Sequence, residues 1–80
     1  MKAYALIKDL DFYEKSLNDN ECVVAFSFYI GKSMKSNHER VIVSVDGKDT
    51  KESIDPVFET AITQRIQELT GQTIDILVLL

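Results

Sequence analysis

Residues 55–70, DPVFETAITQRIQELT, followed by Gly71, read as a helix marked at both ends, and no other stretch limits the fold as much. Asp55 suits the N-cap and Pro56 the first helical position, where a missing N–H costs little. Gly71 suits the left-handed residue just past the end. Phe58, Ala61, Ile62, Ile66 and Leu69 recur at steps of three and four, while Glu59, Gln64, Gln67 and Glu68 occupy the remaining surface. A helix apolar on one side gains from burial only against a second apolar surface, so the rest of the chain has to provide one.

That surface is written with period two. In residues 22–30, CVVAFSFYI, Cys22, Val24, Phe26, Phe28 and Ile30 share one face of a strand, and Val23, Ala25, Ser27 and Tyr29 share the other. Residues 41–45 repeat the pattern with Val41, Val43 and Val45, and Asp46-Gly47 supplies turn chemistry after them. Residues 3–8, AYALIK, form a further short strand. In the closing TIDILVLL, Ile74, Ile76, Val78 and Leu80 fall on one side and Leu77 and Leu79, beside Asp75, on the other, which predicts a strand buried on nearly both sides. Either a central place in the sheet or a homodimer through this region would account for it. In residues 9–20, Asp11 and Glu14 are spaced like a capping box and Leu10, Tyr13 and Leu17 fall at helical spacing, so a short helix is expected, with a polar loop as the alternative.

The expected fold class is therefore α+β: one domain over residues 1–80, with a sheet of about four mainly antiparallel strands and one long helix on one face. The order β-(α)-β-β-α-β is ferredoxin-like if the first helix forms and βββαβ if it does not. The three glycines, Gly31, Gly47 and Gly71, punctuate the ends of elements.

Chemistry is harder to find. The GKS in residues 30–40, IGKSMKSNHER, resembles the tail of a phosphate-binding P-loop, but the position that needs the first glycine is Phe26, inside a strand. Ser33 is also followed by polar residues and a strand rather than by a helix. The segment reads instead as a hairpin loop beginning at Gly31, locally basic through Lys32, Lys35 and Arg40 against Glu39, with His38 among them. These four residues, Lys32, Lys35, His38 and Arg40, are the candidate binding residues. No aromatic ring is interleaved with them for base stacking.

Elsewhere the chain is acidic, with a net charge of −4, which disfavours a general nucleic-acid or anionic-membrane surface. Residues 8–21 and 46–59 carry most of the carboxylates, and neither stretch has the glycine placement of a calcium loop. Cys22 and His38 are each alone of their kind, so a structural zinc site has no ligand set, and no cofactor or metal is called for. A buried Cys22 at the start of an apolar strand acts as a small hydrophobe, not as a nucleophile.

A lone cysteine, and a start in which AYALI is the longest apolar run, predict a cytoplasmic chain without a signal peptide. No apolar run is long enough to cross a membrane. The expectation is a protein-interaction module without catalytic activity, an adaptor or an inhibitor of the size found in phages and mobile elements. It would bind another protein through its acidic surfaces or an exposed sheet edge. The alternative is nucleic-acid binding through residues 31–40.

Overall fold

The structure, a computed structural model describing residues 1–80, has β1 (Lys2–Asp11), β2 (Glu21–Ile30), β3 (Ser33–Ser44), α1 (Lys51–Thr70) and β4 (Ile76–Leu79). The four strands form one mixed sheet in the order β3-β2-β1-β4, antiparallel between β3, β2 and β1 and parallel between β1 and β4. The fold is α+β and the element order is βββαβ. Strands β3 and β4 run in the same direction at opposite edges, so α1 crosses the full width of the sheet to join them, as a connection between like-directed strands must.

The core lies between α1 and one face of the sheet. It unites Ala3 and Ala5 of β1, Cys22, Val24, Phe26 and Phe28 of β2 and Val43 of β3 with Phe58, Ile62 and Ile66 of the helix and Ile74 beyond it. The alternation read in β2 is the one that packs. In the helix stripe, however, Leu69 stays largely exposed, because it lies in the last turn, beyond the reach of the sheet.

Residues 9–20 contain no helix. β1 runs on to Asp11, and the chain then crosses to β2 in turns. The residues that imitate a capping box are used otherwise: the Asp11 carboxylate accepts from the Tyr13 N–H at 2.8 Å, and Glu14 reaches across to Arg40. Tyr13 points almost wholly into solvent, 93% exposed, so the apolar spacing around it carries no packing. The ferredoxin-like alternative, which needs this helix, is therefore not the order adopted.

The loop expected over residues 31–40 shrinks to the two-residue turn Gly31-Lys32. Gly31 has φ 59°, as a tight hairpin turn requires, and everything from Ser33 onward is strand. The early half of β3 is irregular, with its register against β2 shifting twice between Phe26 and Tyr29. β1 has one shift, between Ile7 and Asp9.

Helix α1 begins five residues earlier than the Asp55-Pro56 pair suggests, with Lys51 rather than Pro56 as its first residue. Thr50 is the N-cap and forms a reciprocal box with Ser53: Ser53 N–H donates to Thr50 Oγ1 and Thr50 N–H donates to Ser53 Oγ, both at 3.2 Å. Asp55 instead accepts from the Lys51 ammonium one turn back, which holds the lysine above its ordinary pKa. Pro56 falls in the second turn, on the exposed side, where the Glu52 carbonyl it deprives of a donor can be hydrated. The other end is as expected: Gly71, at φ 69° and ψ 10°, donates its N–H to the Gln67 carbonyl at 2.9 Å.

The C-terminal strand is a short edge, not a doubly buried centre. Leu77 and Leu79 face the core, whereas Ile76 on the opposite side is 55% exposed. The deeply buried residue of this segment is Ile74, which precedes the strand; its N–H donates to Gln67 Oε1 at 3.0 Å.

Candidate functional site

Of the candidate basic residues, His38 and Arg40 line one hollow of about 370 Å³ together with Lys8, whereas Lys32 and Lys35 stand apart from it along β3. Lys32 occupies the turn, Lys35 and His38 the irregular half of the strand, and Arg40 the start of its regular half, so Lys32 and Arg40 lie roughly 20 Å apart at the rise of an extended chain. Arg40 is also already paired, its Nη2 donating to Glu14 Oε2 at 2.9 Å. Cys22 and His38 are separated as well: Cys22 pairs with Val43 near the end of β3, and His38 lies by the bulge opposite Phe26 and Phe28. Complete burial raises the pKa of the Cys22 thiol.

The two acidic segments, distant in sequence, meet at one end of the sheet around an open cleft of about 570 Å³ that includes Glu14, Asp19, Glu21 and Asp49. Two of these carboxylates have work within the fold: Glu14 holds Arg40, and Glu21 accepts from the Asn18 N–H at 2.7 Å. No group of three His, Cys, Asp or Glu side chains is placed to hold a metal ion.

A third site was not singled out in the sequence. β3 is an edge strand, and its two halves differ. The early half carries the register shifts together with Lys35 and Glu39, devices that blunt an edge against further pairing. The later half, through Val41, Ile42, Val43 and Ser44, pairs regularly with β2 and has neither bulge nor charge. The Val45 N–H donates to the Asn20 carbonyl on the β2 side. By antiparallel alternation, Val43 and Val41 also turn their polar groups inward, and the N–H and C=O of Arg40, Ile42 and Ser44 face outward.

Beside this exposed backbone lies a groove of about 620 Å³ between the strand and α1, walled by Pro56, Val57, Thr60 and Ala61 of the helix. A shallower hollow of about 380 Å³ continues it towards Arg65 and Glu68. Arg65 lies 3.8 Å from Glu39 and 3.4 Å from Glu68, and its Nε is shielded from solvent without an acceptor. The helix wall is small and weakly polar because Thr60, Ala61 and Gln64 flank the Phe58–Ile62–Ile66 stripe. Only the topology reveals the site: β3 must first be recognised as an edge, and nothing in its own residues says so.

The chain is thus an α+β domain with a one-sided mixed sheet, one blunted half-edge and one open half-edge beside a helix. Comparison with known proteins finds no match to a family model, to a curated protein or to a solved structure. No helix is long and apolar enough to cross a membrane.

Proposed function

We propose that the chain is a protein-interaction module, an adaptor or inhibitor, that carries out no reaction of its own and captures an extended segment of another protein by adding it as a strand to the outer edge of β3. The observation that carries this reading is the pairing of an unblunted stretch, Val41–Ser44, with an adjoining groove. Strand addition draws affinity from backbone hydrogen bonds and selectivity from pockets that take alternate side chains. The outward groups of Arg40, Ile42 and Ser44 supply the first. The groove walled by Val57 and Ala61 takes apolar side chains at every second position. Lys48 at one end of the groove has no ion-pair partner, so the bound segment has an apolar middle and a carboxylate or carbonyl acceptor at that end.

The test is a displayed library of random dodecapeptides selected against the chain, followed by amide chemical-shift mapping of the enriched peptides. Enriched peptides should alternate apolar residues and shift the amides of Arg40, Ile42 and Ser44. Ile42→Pro removes an outward N–H without touching the β2 ladder and should abolish binding while leaving the circular dichroism spectrum unchanged. Selection of no peptide, or binding that survives Ile42→Pro, would sink the proposal; shifts confined to Lys32, Lys35 and His38 would point to the basic residues instead.

A further inference from the structure

The face of the sheet turned away from α1 is not made like a surface for water. When one face of a sheet is solvated, its outward positions are normally polar. Here the outward positions of the three strands β4, β1 and β2 are Ile76 and Val78, Tyr4 and Leu6, and Val23, Ala25, Ser27 and Tyr29. Leu6 is 42% exposed and Leu80, just past β4, is 65% exposed. None of these residues belongs to the core cluster, although Val23 and Ser27 are already covered by their neighbours on the sheet.

The same face is electrically polar along the strands. At one end are Lys2, whose ammonium lies 5.4 Å from the centre of the Tyr4 ring, and Lys32 in the β2–β3 turn, next to Gly31, whose N–H donates to the Lys2 carbonyl. At the other end are Asp9 and Asp11, which the shift in β1 places opposite Ala25 and Val23 on this face, with Glu21 beside them.

We infer that the partner of this face is a second copy of the same chain, stacked sheet to sheet about a two-fold axis that lies between the sheets and perpendicular to the strands. That operation reverses strand direction, so the Lys2 end of each copy lies over the Asp9 and Asp11 end of the other, and Leu6 falls close to the axis. A two-fold axis parallel to the strands would bring like charges together, a real penalty for a chain of net charge −4. From strand spacing and rise, the three-strand face measures about 25 by 14 Å, so two stacked copies remove on the order of 700 Å² from water, the size of a weak, reversible interface. The stacking leaves both β3 edges at the rim, so it does not depend on strand addition at β3, nor strand addition on it.

Sedimentation equilibrium over about 1–300 μM decides the matter. The wild-type chain should sediment at twice its 9.1 kDa mass. Leu6→Asp, which sets two carboxylates face to face near the axis, should raise the dimer Kd by about a hundredfold with the circular dichroism unchanged. Asp11→Lys alone should weaken the dimer by about tenfold, and adding Lys2→Asp should restore it. A wild-type monomer across the range overturns the inference, as does a dimer indifferent to Leu6→Asp. A dimer broken by Ile42→Pro but not by Leu6→Asp overturns it too, since the copies would then join through β3.

Discussion

Cys22 shows how far a single buried group can be read. Its side chain is enclosed by the core between β2 and α1, and burial alone raises its pKa because the thiolate would have to give up its hydration. The folded chain therefore keeps the proton over a range of pH in which the unfolded chain loses it, so stability is fully present below about pH 8.5 and declines as pH rises beyond that. Lysines and tyrosines titrate in the same region, so the measurement is a comparison: between pH 8 and 10 the wild-type chain should lose more of its urea midpoint than Cys22→Ala does. An equal loss in both would mean that the thiol contributes nothing. Iodoacetamide should leave the folded thiol unmodified for the same reason.

Among the elements, α1 and β2 were legible from the sequence because one continuous periodicity runs through each. The ends of α1 were legible only at Gly71. Asp55-Pro56 imitates a start, but the box between Thr50 and Ser53 satisfies two backbone donors at once and takes the boundary. Thr50→Ala should therefore lower stability by about 1 kcal/mol and Thr50→Ser by much less, read from urea unfolding, whereas Asp55→Ala should act only through its exposed pair with Lys51. The first half of β3 was illegible for a different reason. Two register shifts break the inward and outward alternation, so Ser33–His38 look like loop although Ser33, Met34 and Ser36 pair with β2. The open edge followed from that omission, since a strand that begins at 41 would have been too short to suggest one.

For the whole molecule, sequence distance between neighbours sets the order of assembly. β1, β2 and β3 are joined to their neighbours by short connections, whereas β4 pairs with β1 across nearly the entire chain. The three-stranded meander should form first, with β4 docking after the folding transition state, because closing the longest loop yields few contacts. Leu77→Ala should then speed unfolding and leave the folding rate nearly unchanged in stopped-flow chevrons, while Phe26→Ala should slow folding. The extra residue at Lys8 has a consequence of a different order. Ala3, Ala5 and Ile7 turn inward; without the shift that follows, Asp9 and Asp11 would do so too, bringing two carboxylates to the helix side of the sheet. β1 thus carries a change of reading frame for its faces. Dropping Lys8 would cancel the shift and leave Asp9 and Asp11 outward in an unbroken ladder, so a lineage of such chains should be able to lose that letter, or vary it freely, without exchanging the faces of β1.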